Sequence, residues 1–246
     1  MRYTNPSIIE ALCEFQFNGE SDWDPTAYGL FYAEIKHDFP NRERRDVLAA
    51  TSSQTPAGVE HQFSPQPRMW FGTAEKNRIV QLGERLLAVN ALKPYPGWDR
   101  LRELVLTAGE AYHAVVPGAT VARTSVRYVD RLEFPSAGFR LGDWIKCDGE
   151  YFSRQLADCT SMAYSRIAQP IGDQEHFLLS LTLEPAASGS ISLTLDTELF
   201  CERPFPSVKA TTDLLNLFHT KIVSAFEACI TDKTRASLVP ESGGAT

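Results

Sequence analysis

A chain of 246 residues, 43% hydrophobic and 22% charged, has the makeup of an ordinary globular protein with enough apolar material for a substantial core. The net charge of -7 is spread evenly: residues 1–116 carry 12 Lys and Arg against 15 Asp and Glu, and residues 117–246 carry 12 against 16. Neither half therefore has the basic balance of a nucleic-acid module. No uninterrupted apolar run reaches bilayer length, which argues against a membrane protein, and the N-terminus has no apolar signal segment. Five cysteines (13, 147, 159, 201 and 229) lie far apart with no Cys-x-x-Cys pair. Reduced thiols in a cytoplasmic protein are the expectation, with no metal and no cofactor implied.

The first segment with a clear period is 8–17, whose alternation predicts a strand. Ile9, Ala11, Cys13, Phe15 and Phe17 share one face, and Glu10, Leu12, Glu14 and Gln16 share the other. A polar break from Asn18 to Asp24 follows, and Pro25 opens a helix with Tyr28, Phe31, Tyr32 and Ile35 at helical spacing. Phe39-Pro40 ends it. Strands are predicted at 45–53, 60–72, 77–82 and 85–92, with a tight reversal at Gly83-Glu84. After Lys93-Pro94-Tyr95-Pro96-Gly97, a second helix starts at Trp98, and Pro117-Gly118 closes it. Leu101, Leu104, Val105, Ala108, Tyr112 and Val115 form its apolar stripe.

The second half reads in a similar order. A strand at 120–134 places Arg123, Ser125, Arg127, Val129 and Arg131 on one face, with Thr124, Val126, Tyr128, Asp130 and Leu132 opposite. A helical region is expected at 140–157, then strands at 160–171, 175–184 and 189–200. In the 175–200 hairpin, Phe177, Leu179, Leu181, Leu183, Ile191, Leu193 and Leu195 form a buried face, and Ser180, Thr182, Glu184, Ser192, Thr194, Asp196 and Glu198 a wet one. A last helix spans 208–231, and a flexible polar tail is expected over 233–246.

These elements predict an α+β fold in one domain, 1–232, made of two pseudo-repeated halves, 1–116 and 117–232. Each half is a strand, a helix, further strands and a helix. Their first strands would pair to form one curved antiparallel sheet with helices on one face, as in TATA-binding-like or helix-grip folds. The repeat is one of pattern, with no residue-level copy.

Enzyme signatures are missing: no Gly-x-Ser-x-Gly, no His-Glu-x-x-His, no phosphate loop, and five isolated histidines. This leans the reading away from an enzyme. The nominated surface combines Glu10 and Glu14 with Arg127, Asp130 and Arg131, because paired first strands would bring carboxylates and guanidiniums together. Such a set fixes strand register as an ion-pair network, or offers spare arginine donors to an anion. Lys93, Tyr95 and Trp98 form a second candidate, a stiff connection with amphipathic aromatics of the kind used at interfaces. Glu184, Asp196 and Glu198 read as solvated charge rather than a metal cluster.

Several segments carry a resemblance: Asn5-Pro6-Ser7-Ile8-Ile9-Glu10-Ala11-Leu12-Cys13-Glu14-Phe15, Glu34-Ile35-Lys36-His37-Asp38-Phe39-Pro40, Gln81-Leu82-Gly83, Leu87 to Trp98, Arg127-Tyr128-Val129-Asp130-Arg131-Leu132-Glu133 and Phe226 to Asp232. As an ordered set spanning most of the chain, they resemble a sporadically distributed, uncharacterised family of bacterial proteins. Ser7 stands where that pattern has a second proline. The resemblance implies no activity or catalytic residue, and its patchy distribution fits accessory or defence-linked genes that move horizontally.

The functional expectation is a non-catalytic interaction protein that binds a protein partner or its own copy through the polar sheet face or a sheet edge. The alternative is a small-molecule or anion binder using a cavity between the C-terminal helix and the sheet. Single-stranded nucleic acid ranks last, because the hairpin face is Ser, Thr, Asp and Glu rather than basic and aromatic.

Overall fold

The computed structural model describes residues 3–18, 23–55 and 58–240, with side chains for all of these except 47–66 and 188. Nine strands form one antiparallel sheet: β1 (Ile8–Phe17), β2 (Asn41–Thr55), β3 (Gly58–Gly72), β4 (Arg78–Gly83), β5 (Leu86–Leu92), β6 (Val121–Pro135), β7 (Ala163–Pro170), β8 (Glu175–Pro185) and β9 (Ser190–Cys201). Their spatial order is β2-β3-β4-β5-β1-β6-β9-β8-β7. The chain is therefore α+β, and its first strand sits at the centre. The expected pairing of the two opening strands is present, since β1 runs antiparallel to β6 from Ile8↔Asp130 to Phe17↔Val121.

Alternation decides which face is covered. Ala11, Cys13 and Phe15 of β1, Val126 and Tyr128 of β6, Leu193, Leu195 and Leu199 of β9, and Leu179 and Leu181 of β8 are buried. Helices α1 (Thr26–Ile35), α2 (Trp98–Val115) and α3 (Thr212–Cys229) pack on this side: Phe31 of α1 lies against Phe71 of β3. Leu101, Val105 and Tyr112 of α2 and Leu215, Phe218 and Ile222 of α3 complete the core. Each such side chain contributes about 1.5–3 kcal/mol when fully buried. Asp24, two residues ahead of α1, accepts the Thr26 N–H on its carboxylate at 2.6 Å and the Ala27 N–H on its carbonyl.

The helix expected over 140–157 is replaced by two single 3₁₀ turns, Leu141–Asp143 and Arg154–Leu156. The buried residues of this stretch, Phe139, Leu141, Ile145, Cys147 and Phe152, lack a 3.6 period. Gly142 also packs so closely on Ala157 that an added Cβ would lie 2.9 Å from that residue's Cβ. The last helix is likewise shorter than 208–231. It is preceded by a 3₁₀ turn at Lys209–Thr211, stops at Cys229 and gives way to α4 (Asp232–Leu238). The tail expected from 233 is thus ordered as far as Pro240. Leu238 is buried, and Thr4 and Asn5 donate to the Val239 and Leu238 carbonyls. Residues 241–246 lie outside the described residues, as do 19–22 of the polar break.

One feature of the backbone was not expected. β2 and β3 pair along their full length, Asn41↔Gly72 to Thr55↔Gly58, but β4 pairs only with Met69–Gly72. Most of this hairpin is a two-stranded ribbon extending past the sheet. No helix of the described residues is long and apolar enough to cross a membrane.

Candidate functional site

The face of the sheet opposite the helices is built from the charged sides of the central strands. Glu14 lies opposite Ser125, Leu12 opposite Arg127 and Glu10 opposite Val129. The carboxylates of β1 and the arginines of β6 are thus offset by one residue pair and do not face one another directly. Arg123 takes the role expected of Arg127: it lies 3.7 Å from Glu14 and 2.8 Å from Glu198 of β9, with its guanidinium 4.2 Å above the Phe200 ring. Arg127 turns to β9 instead and grips Asp196 through Nε and Nη2 at 2.7 and 2.5 Å. That bidentate bond holds the Arg127 guanidinium pKa above its usual value, against burial. Glu10 accepts from Asn90 at 2.5 Å, Asn90 accepts from Gln81, and Gln81 accepts from Arg68. Two polar runs thereby cross the open face, one from β3 to Glu10 of β1 and one from Glu14 of β1 through Arg123 to β9.

Under the sheet lies a second polar chain. Asp130 is 4% exposed and accepts a hydrogen bond from the Ser7 hydroxyl at 2.7 Å. Burial pushes its carboxyl up to about 7, and the Ser7 bond only partly opposes this. Being buried, Asp130 presents nothing to a partner. Tyr95 and Tyr128 share a hydrogen bond at 2.8 Å, and Tyr128 reaches Nδ1 of His219 at the same distance. Burial lowers the His219 pKa, which favours the neutral ring. One direction of donation then satisfies all three groups: Tyr95 to Tyr128, and Tyr128 to His219. Trp98 stacks on His219 with ring centroids 4.6 Å apart and donates its indole N–H to Asn216 of α3. Tyr95 and Trp98, nominated as contact aromatics, are half-buried and engaged in tying the 93–98 connection to β6 and α3.

Among the described residues, clefts open on these elements. The one between α3 and β6, lined by Ser7, Tyr128, Asp130, Ile222 and Phe226, holds about 70 Å³. That is room for a few waters, well under the roughly 300–1,000 Å³ of a ligand pocket. A second, of about 420 Å³, lies on the open face between Arg127, Tyr164, Arg166, Ser180 and Asp196. The third, of about 490 Å³, lies at the end of β1 and is lined by Asn5, Lys93, Arg131, Glu133, Phe134 and Trp144 among others. Arg131 is thus separated from Arg127 and joined by Lys93.

No family model matches the chain, and no curated protein matches it. Among the described residues no group of three His, Cys, Asp or Glu is arranged to hold a metal ion. Asp196 and Glu198, read as solvated charge from the sequence, are each held by an arginine. Sequence reasoning left out Arg123, Asn90, Ser7, Tyr128 and His219 as site members. Alternation placed Arg123 on the right face, but nothing local showed which acid it would meet.

Proposed function

We propose that this protein is a non-catalytic interaction module that associates with a second copy of itself through the outer edge of β2. The observation that carries this is the contrast between the two sheet edges. β7 is short and carries Arg166 and Pro170, devices that keep an edge from pairing with other chains. β2 is an edge of 15 residues, and from Val47 to Thr55 its sequence has no charge and no proline. Its outward N–H and C=O groups form a template that another strand completes.

A second copy suits this template. An antiparallel pairing centred on Leu48 sets Arg42 opposite Gln54, Glu43 opposite Ser53, Arg44 opposite Ser52, Arg45 opposite Thr51 and Asp46 opposite Ala50 of the partner. The whole strand overlaps without a like-charge pair, and the two-fold contact closes on itself. The ladder of Arg123, Arg127 and their acids then reads as the element that fixes sheet register, leaving the open face as the broad surface of the assembly.

The sheet order also supports reading the fold as two related halves meeting at β1 and β6, on a TATA-binding-like or helix-grip-like plan. The halves differ in strand number and in the lack of a helix after β6.

Light scattering coupled to size exclusion tests the reading. The expected result is a mass that climbs from one chain to two with concentration. A variant in which 47–66 are replaced by Asn-Gly should remain a monomer that keeps the parent's helical circular-dichroism signal and loses only strand signal. A full-length chain that is monomeric at every concentration, or a shortened chain that associates as well as the parent, sinks it.

A further inference from the structure

We infer that the cleft at the end of β1 is a binding site for a small organic monoanion with an apolar body, with Lys93 and Arg131 as its anion-binding groups. Four observations converge on this. First, Lys93, the residue after β5, and Arg131 of β6 flank β1 on either side: the Lys93 N–H bonds to the Ile9 carbonyl and that of Arg131 to the Ser7 carbonyl. Strand spacing puts their backbones on the order of 10 Å apart, close enough for two long side chains to reach one ligand. Second, neither side chain has an ion-pair partner among the described residues, whereas Arg123 and Arg127 of the same strand are fully engaged by Glu14, Glu198 and Asp196. Third, the cleft has about 490 Å³, within the size range of small-ligand sites. Fourth, its walls include the buried apolar side chains Leu132, Phe134 and Leu238 and the half-buried ring of Trp144, which packs on Phe134 at 4.1 Å between centroids.

The charge count sets the ligand class. Two cations and one carboxylate, Glu133, line the cleft and leave one net positive charge. That balance suits a single carboxylate better than a multiply charged phosphate. The guanidinium fork of Arg131 matches a carboxylate in plane, and Lys93 adds a point charge. The apolar wall beside Trp144 receives the ring or chain that the carboxylate carries. This site stands apart from the β2 edge, so failure of either proposal leaves the other untouched.

Benzoate is the probe, with inorganic phosphate beside it. Titration is followed by the indole resonance of Trp144 and by calorimetry on the full chain. Saturable benzoate binding is expected, weakened roughly tenfold or more in Lys93→Met and in Arg131→Met, since each removes a charge-assisted contact. Both residues are exposed, so both variants should keep the parent's melting temperature. Arg166→Met, on the open face, should bind as the parent does. Absence of saturable benzoate binding overturns the site, as does equal loss in all three variants. Phosphate binding as tight as benzoate overturns the assignment of an apolar-bodied ligand.

Discussion

Asp130 shows how one residue can matter more to stability than to contact. Its folded pKa lies near 7 against 3.8 for an unperturbed side chain. Between those values the folded chain holds a proton that the unfolded chain has released, so stability falls as pH rises from about 4 to about 7 and then levels off. At about 1.4 kcal/mol per pH unit over about three units, this amounts to about 4 kcal/mol. Asp130→Asn keeps an acceptor for Ser7 and removes the charge. Urea unfolding across that range should find the variant more stable than the parent above pH 7, with a flatter profile; parallel profiles would refute the assignment. Tyr128→Phe acts in the opposite direction. It strips a partner from both Tyr95 and His219 and should cost about 1–3 kcal/mol in the same measurement. Alternation told which face Asp130 occupies, but it did not tell that the face would be sealed by α3. Ser7, close to the start of β1, supplies the hydrogen-bond donor to that sealed carboxylate.

Elements were legible where one period ran unbroken. β1, β6, β8, β9 and α2 fall within a residue or two of their expected bounds, because each has one buried and one wet face. The stretch 140–157 was misread because its apolar residues are anchored singly, by turns and by close backbone approach at Gly142. Gly109 makes a similar demand inside α2. An added Cβ would lie 2.7 Å from two carbons of Val208, so the helix can approach the segment before α3 only because the methyl is missing. Gly109→Ala raises helix propensity, yet overpacking should dominate and destabilise the protein by about 1–3 kcal/mol in chemical denaturation. Gly109→Ala paired with Val208→Gly removes every carbon the new methyl would meet, and the double variant should lose less than the sum of the two single changes. The projecting ribbon was invisible to pattern reading. Strand lengths could be guessed, but the point where β4 stops pairing with β3 is set by the lengths of β4 and β5, not by anything in residues 47–66.

At the scale of the molecule, the sheet brings acidic and basic side chains from distant parts of the sequence into cross-strand pairs on its open face. The partners, however, are set by β9, a strand whose place beside β6 rests on a long-range connection. An exposed ion pair is worth little alone, about 0–1 kcal/mol, but the Arg127–Asp196 pair is bidentate and half-buried. Arg127→Met should therefore destabilise the protein measurably, leave Asp196 without its cation, and leave benzoate binding at Lys93 and Arg131 unchanged. Loss of that binding would show that the two arginines belong to one site after all.

The central place of β1 has a further consequence for how the chain is made. When β1 has been synthesised, both of its sheet neighbours, residues 86–92 and 121–135, are still to come. At a synthesis rate of about 5–20 residues per second, its second neighbour follows it by several seconds or more. During that interval the apolar row Ala11, Cys13, Phe15 and Phe17 has no completed sheet to enter. A nascent chain stalled before β6 should recruit ribosome-associated holding chaperones, and one stalled beyond β9 should release them.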